Sequence, residues 1–280
     1  MKSRIGGNLL NVLCYLVAFL MIQFVMTLAV GTIWLMVKGE AFSTALQQSA
    51  NGTLADNGTA MAVTTAAASV VTILVFMLLR WSPFSRTYLR SRPWGVLIWV
   101  VVLTFGTIIP SEWMLEQLGV EMSEPMQHVF EEIMKSPAGY AAIGLLAPLA
   151  EEMVFRGAIL RVLLNVFDRR WHWLPIVVSA VIFGAVHGNM AQFLHATLLG
   201  LLLGWLYYRT GSIVPGVVLH WVNNSIAYVL VNLLPQTANS NLIDLFNGDQ
   251  RAVWMSLGFS LCILLPSLFQ LAVRMKRIDN

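Results

Sequence analysis

Apolar runs long enough to cross a membrane recur along the chain, and short polar or basic stretches separate them. A helix needs about 20 apolar residues to cross a hydrocarbon core that is about 30 Å thick. By this criterion we predict an all-α fold, a polytopic membrane helical bundle of about eight transmembrane helices. The predicted spans are, to within a few residues, about 9–37, 60–79, 94–110, 138–155, 174–187, 191–208, 213–234 and 252–273.

The composition supports the same class of fold. Of the 280 residues, 58% are hydrophobic and only 11% are charged, about half the charged share of a soluble globular domain. The mean hydropathy is +0.72. We therefore expect an integral, multi-pass protein of the plasma membrane that is embedded in the lipid bilayer. Cys14 and Cys262 lie in apolar runs far apart, and we expect both to be small core residues.

Basic residues are distributed unevenly between the two sides of this topology. With the N-terminus placed in the cytoplasm, only Lys38, Lys135 and Arg251 of the 17 lysines and arginines fall on the outer side. Cytoplasmic loops of membrane proteins carry the excess of Lys and Arg, so we predict that both termini are cytoplasmic. The net charge of +3 then reflects those loops, and we expect no nucleic acid partner.

Two adjacent glutamates and an arginine interrupt the fourth predicted span. At 1.5 Å per residue Glu151 would lie about 20 Å below the outer boundary, where a carboxylate costs ~3 kcal/mol or more. Glu152 and Arg156 are four residues apart and can pair on one helix face, either as a structural ion pair or as part of a site. Glu151 is rotated by about 100° from that face, so it needs another partner or a proton. We interpret it as functional.

Two later spans carry polar groups at comparable depth. His187 follows Phe183 by four residues near the end of the fifth span, and His220 precedes Asn224 by four residues in the seventh. His220 would lie about 12 Å above the cytoplasmic boundary, close to the depth of the first glutamate, and His187 nearer about 20 Å. Tilt or a short hairpin at "HGNM" would absorb this difference.

A carboxylate, two imidazoles and an amide in one hydrated cavity suffice for hydrolysis without a covalent intermediate. Glu151 would act as general base toward water and His187 would hold that water, while His220 and Asn224 would donate hydrogen bonds to the oxyanion. We expect no cofactor. A zinc ion bound by the glutamate and both histidines is the alternative, although an asparagine is a poor zinc ligand. His195, on the sixth span, is interpreted as packing support.

These residues lie in three short motifs. The stretches "EEMVFR", "FGAVH" and "HWVNN" resemble, in order and spacing, the EExxxR, FxxxH and HxxxN motifs of the CAAX protease and bacteriocin-processing family of intramembrane proteases. The resemblance covers about residues 138–228. It implies a helical bundle whose catalytic residues open toward the cytoplasm, similar to the endopeptidase that trims the last three residues from prenylated proteins. Its substrate would be a membrane-associated or lipidated protein.

Carried over to this sequence, the resemblance makes Glu151 and His187 the water-activating pair and His220 with Asn224 the oxyanion site. Residues 138–280 would then form the catalytic core, and residues 1–137 would contribute N-terminal transmembrane helices with an outer amphipathic segment. Two alternatives stay open, a proton-coupled carrier and a non-catalytic membrane scaffold or bacteriocin-immunity protein. The supporting residues are Glu152, Arg156 and Phe183.

Overall fold

The computed structural model describes residues 2–83, 85–234 and 241–275. Within these ranges the backbone forms helices joined by turns, without any strand, which confirms the predicted all-α class. The helices, in chain order, are α1 (Lys2–Val37), α2 (Phe42–Ala50), α3 (Gly58–Leu78), α4 (Arg86–Arg90), α5 (Trp94–Gln117), α6 (Glu124–Lys135), α7 (137–164, several helical segments in direct succession), α8 (Trp173–Ala185), α9 (Met190–Thr210), α10 (Val214–Leu233), α11 (Leu242–Leu245) and α12 (Gln250–Arg274).

Six helices of the described chain are long and apolar enough to cross a membrane, namely α1, α3, α5, α9, α10 and α12. The chain is therefore a polytopic membrane helical bundle, as predicted. The two other predicted spans are helical as well, in α7 and α8, but α8 has only 13 residues. The count of eight and the cytoplasmic location of both termini stay predictions. Residues 1 and 276–280 lie outside the described part of the chain.

Two π-helical segments interrupt the α-helical hydrogen bonding of α7. Tyr140–Leu146 and Met153–Leu160 are π-helical, and the α-helical segment Ala147–Glu152 lies between them. Segments of π-helix are rare and occur frequently at functional sites. Pro148 has no N–H to donate and follows the first π segment, which accounts for the interrupted α-helical ladder there. Both glutamates therefore lie on a short α-helical segment between two wider ones.

Residues 1–83 and 123–166 form a first compact unit. In this unit α1 packs along α3 and α7, and α3 packs against α6 and α7. Phe19 of α1 meets Phe155 of α7 edge to face, with ring centroids 5.5 Å apart. Arg161, at the end of α7, donates from Nη2 to the backbone oxygen of Trp81 at 2.7 Å. Two apolar spans thus support the helix that carries the glutamates.

Residues 84–122 and 167–280 form a second compact unit. Here α5 packs against α9, α10 and α12, and α9 packs against α8 and α10. Helices α8 and α9 form a hairpin, because Gly188 adopts a left-handed φ of +74° and the Asn189 side chain accepts the Gln192 N–H to cap α9. The sequence left tilt and a short hairpin at "HGNM" as alternatives, and the structure has the hairpin.

Two glycines allow the helices of this hairpin to approach closely. A Cβ atom on Gly184 of α8 would overlap the hydroxyl oxygen of Thr197 and lie 2.6 Å from the backbone oxygen of Phe193. A Cβ atom on Gly204 of α9 would lie 2.8 Å from Cγ2 of Ile176. The hairpin is therefore packed tightly near both ends.

Two sequence expectations about organisation have different outcomes. Cys14 and Cys262 are exposed, so the expectation that they are core residues is wrong, because an apolar run does not reveal which face of a span meets lipid. The division into residues 1–137 and 138–280 concerns function and stays a prediction. Each compact unit contains residues from both of these parts.

Candidate active site

Glu152 and Arg156 form an ion pair inside α7. Nη1 of Arg156 donates to Oε1 of Glu152 at 2.7 Å, and both side chains are 0% exposed. The four-residue spacing predicted this contact from sequence. A buried charge is tolerated only when it is paired and hydrogen-bonded, so the pair explains how two of the three charged groups are accommodated.

Glu151 is partly buried and interacts electrostatically with the same arginine, Arg156. The sequence had placed Glu151 on a different helix face from the arginine. That expectation assumed a regular α-helix, whereas a π-helical segment begins at Met153. Hydrogen bonds in a π-helix join residues five apart, which brings positions 151 and 156 closer to one face. The arginine therefore acts on both carboxylates.

His187 lies in the turn after α8, and its imidazole is held by the last turn of that helix. The Nδ1 atom donates to the backbone oxygen of Phe183 at 2.8 Å. Because a carbonyl oxygen accepts only, this bond places a proton on Nδ1 and leaves Nε2 as the nitrogen for other partners. The ring is partly buried. Local backbone geometry thus fixes both the orientation and the tautomer of His187.

The ring of Phe183 connects two of the predicted site histidines. It is buried and meets the His187 imidazole edge to face, with ring centroids 5.1 Å apart. It meets the His220 imidazole in the same way at 5.7 Å. The sequence had put His187 about 8 Å farther from the cytoplasmic boundary than His220 by helical rise. The short α8 and its hairpin bring both histidines to the same aromatic side chain.

His220 and the amides that follow it lie on α10. His220 is 4% exposed, and Asn224, one turn farther along, is partly buried. The preceding residue, Asn223, is buried and donates from Nδ2 to Oδ1 of Asn224 at 3.2 Å. Asn223 is not among the predicted site residues, although two adjacent asparagines inside an apolar span are visible in the sequence.

His195 on α9 is close enough to interact electrostatically with both His187 and His220. Three imidazoles of the second unit therefore lie near one another. The packing role expected for His195 stays a prediction. His187 and His195 are separated by a turn, and their spacing in the sequence does not show which face of α9 His195 occupies.

The predicted site residues are distributed between the two compact units. Glu151, with its supporting pair, belongs to the first unit, and His187, His220 and Asn224 belong to the second. The convergence of these four side chains stays a prediction. In the described ranges, no group of three or more His, Cys, Asp or Glu side chains is arranged to hold a metal ion. The expectation of a cofactor-free site and the zinc alternative both stay predictions.

Comparisons with known proteins concern the same part of the chain. Residues 134–226 match the family described as type II CAAX prenyl endopeptidase Rce1-like. Over these residues the chain is similar to the CAAX protease and bacteriocin-processing family. The resemblance that three motifs predicted over about residues 138–228 is thereby confirmed. The matched range of this family contains all four predicted site residues and the three supporting ones.

A curated relative is similar over a similar length. It is a protein of Bacillus subtilis (strain 168) named "Putative membrane peptidase YdiL", and it is 27% identical over 108 residues. The aligned residues cover 39% of this chain and 43% of the relative, so the chain spans less than half the length of that protein. No solved structure matches the chain.

Proposed function

We propose that this chain is an intramembrane endopeptidase of the CAAX-protease type. It would hydrolyse a peptide bond of a membrane-associated or prenylated protein at the plasma membrane. The family of residues 134–226 and the printed name of the B. subtilis relative support this class of reaction. The observation that carries the proposal is the placement of His187 and His220 against one buried ring, with Nδ1 of His187 already bonded.

The proposed reaction begins with the activation of water. The Nδ1–H of His187 is bonded to the backbone, so Nε2 is the nitrogen that holds the water by accepting one of its hydrogens. Glu151 removes the other proton as the water oxygen attacks the carbonyl carbon of the substrate. The same carboxyl group then returns the proton to the leaving amine, which balances the hydrolysis without a covalent enzyme intermediate.

Negative charge develops on the substrate oxygen as the carbonyl carbon becomes tetrahedral. His220 and Asn224, one turn apart on α10, are the groups that donate hydrogen bonds to this oxygen. Donors that are already in place are the most effective, because they need no reorganisation when the charge appears. Removal of one such donor typically lowers kcat by about 100- to 1,000-fold.

The buried pair of Glu152 and Arg156 supports the catalytic glutamate. It fixes the α-helical segment of α7 that carries Glu151, and the guanidinium also interacts with the Glu151 carboxylate. We infer that neither member of the pair contacts the substrate, since both side chains are completely buried. Their substitution is expected to act through protein stability and the placement of Glu151.

The first experiment measures cleavage by the purified full-length protein in detergent. The substrate is a quenched fluorescent peptide with a farnesylated C-terminal cysteine motif, compared with the same peptide without the lipid. Glu151→Ala and His187→Ala are each expected to lower turnover by at least about 100-fold. His172→Ala is the matched control: this imidazole stacks on Tyr208 with ring centroids 4.3 Å apart, at the opposite end of α8 from His187. Its loss should leave turnover unchanged.

Three outcomes separate the proposal from its alternatives. Unchanged turnover in both site variants rejects the assigned chemistry. Proton flux into proteoliposomes that Glu151→Gln abolishes, in the absence of any cleavage, favours the carrier. Loss of cleavage on treatment with a chelator, restored by zinc, replaces the metal-free mechanism with the zinc alternative.

A further inference from the structure

We propose that Asn223 is a positioning residue that orients the amide of Asn224 toward the substrate oxyanion. This inference rests on the proposed function and deepens it. Asn223 is a buried polar side chain that belongs neither to the water-activating pair nor to the oxyanion pair of the proposed mechanism.

The inference begins with the direction of one hydrogen bond. The Nδ2 atom of Asn223 donates to the Oδ1 atom of Asn224 at 3.2 Å. An asparagine amide carries its acceptor oxygen and its donor nitrogen on opposite sides of one carbon. When Oδ1 of Asn224 is bonded to its neighbour, Nδ2 is turned away from that neighbour and presents its N–H groups elsewhere.

The direction of the amide decides whether Asn224 helps or opposes the reaction. An N–H group near the developing oxyanion stabilises it, whereas a carbonyl oxygen in the same place repels it. The terminal torsion of asparagine is broad, so the amide needs a fixed neighbour to hold one orientation. Asn223 supplies the donor that selects the productive one.

Burial assigns different tasks to the two amides. Asn223 is buried, with 9% of its surface exposed, whereas Asn224 is more accessible. His220 and Asn224 are four residues apart and therefore share a face of α10. Asn224 is thus the amide suited to touch substrate, and Asn223 acts on the reaction through it.

The test is a double-mutant cycle on the full-length protein with the farnesylated peptide as substrate. Asn223→Leu removes the donor while keeping the same number of side-chain heavy atoms, and it is expected to lower kcat by about 10-fold with less than about a twofold change in KM. Asn224→Ala is expected to lower kcat by about 100-fold or more. Because Asn223 acts only through Asn224, the double variant should be no slower than Asn224→Ala alone.

Matched controls separate orientation from folding. Asn232→Leu makes the same change farther along α10, where the amide donates to the backbone oxygen of Tyr228, and it should leave kcat unchanged. The thermal unfolding midpoint is recorded for every variant. If Asn223→Leu does not fold, Asn223→Ala also lacks the donor and carries the same expectation.

The possible failures are distinguishable. If Glu151→Ala and Asn224→Ala retain full turnover, the proposed function fails. If those variants lose turnover while Asn223→Leu matches the unsubstituted protein, only the inference on Asn223 is overturned. An additive effect of Asn223→Leu in the Asn224→Ala background also overturns it, because Asn223 would then act on the reaction by itself.

Discussion

At the scale of single residues, the buried ion pair of α7 explains how a transmembrane segment accepts charge. Glu152 and Arg156 are both inaccessible and share a 2.7 Å hydrogen bond. Removing two charges from water costs several kcal/mol each, and their mutual attraction offsets this cost only while both are present. The intact pair therefore adds little net stability, whereas the loss of one member should destabilise the protein strongly.

The first prediction follows from this asymmetry. Arg156→Met leaves the Glu152 carboxylate buried without its guanidinium, so it should lower the free energy of unfolding by about 3–5 kcal/mol. Chemical unfolding in detergent, followed by circular dichroism, measures the change. The control is Lys135→Met, because this exposed lysine is 3.5 Å from Glu131 and such pairs contribute at most about 1 kcal/mol.

A double variant tests the explanation as well as the magnitude. Glu152→Leu combined with Arg156→Met removes both charges and should be more stable than Arg156→Met alone. If Arg156→Met lowers the free energy of unfolding no more than Lys135→Met does, burial does not determine the energetic effect of the Glu152 and Arg156 pair. The explanation given above for the pair is then wrong.

At the scale of elements, the hairpin of α8 and α9 is what places His187. Helix α8 is short, its last turn bonds the His187 ring, and Gly184 lies against α9 three residues before that histidine. Interiors this tightly packed transmit small displacements. Any change that separates the two helices at Gly184 should therefore move the imidazole as well.

The second prediction uses this close contact. Gly184→Ala places a methyl group against Thr197 and the backbone of Phe193, so it should destabilise the protein by about 1–3 kcal/mol and lower turnover. Gly258→Ala is the matched control in α12, where a Cβ meets nothing within 4 Å. It should keep turnover and gain up to about 1 kcal/mol from helix propensity. Thermal unfolding and peptide cleavage are measured on both, and equal behaviour contradicts the packing argument.

The elements were predictable from sequence where apolar length alone decides them. The spans predicted at about 60–79 and 213–234 correspond closely to Gly58–Leu78 and Val214–Leu233. The end of α5 was not predictable, because the helix continues through Pro110 to Gln117. Its last turn is supported by a distant contact, since Glu116 accepts the backbone N–H of Leu242. The hydropathy pattern does not reveal a tertiary contact of this kind.

In the candidate site, too, contacts within one helix were predictable and contacts between helices were not. The pairs Glu152 with Arg156 and Phe183 with His187 are four residues apart, so helical geometry alone predicted that they would meet. The approach of His195 to His220 joins two helices and depends on packing that the sequence does not display. The π-helical segments of α7 were not predicted from sequence, and the interaction of Glu151 with the arginine was therefore missed.

At the scale of the whole molecule, the proposed chemistry needs residues that no single compact unit contains. The general base, Glu151, belongs to the first compact unit, and the imidazole proposed to hold the water, His187, belongs to the second. Both groups must reach one water molecule within hydrogen-bond distance of about 3 Å. The proposed mechanism therefore requires that Glu151 and His187 meet, and this requirement can be tested without any substrate.

The third prediction is a crosslink between positions 151 and 187, which follows from the proposed mechanism. Cys14 and Cys262 are exposed, so both are replaced by alanine, and Glu151→Cys and His187→Cys are then introduced together. Two side chains that share one water should be joined within the same chain by a thiol crosslinker with a very short spacer, and mass spectrometry identifies the linked peptides. The control pair combines His187→Cys with His172→Cys, because these two positions flank α8, whose 13 residues separate them by about 20 Å, and they should not be linked. Each cysteine should react with a monofunctional reagent, which shows that both are accessible. If the Glu151 and His187 positions are nevertheless never joined, the carboxylate and the imidazole do not act on a common water. The hydrolytic mechanism then fails even if the family resemblance stands.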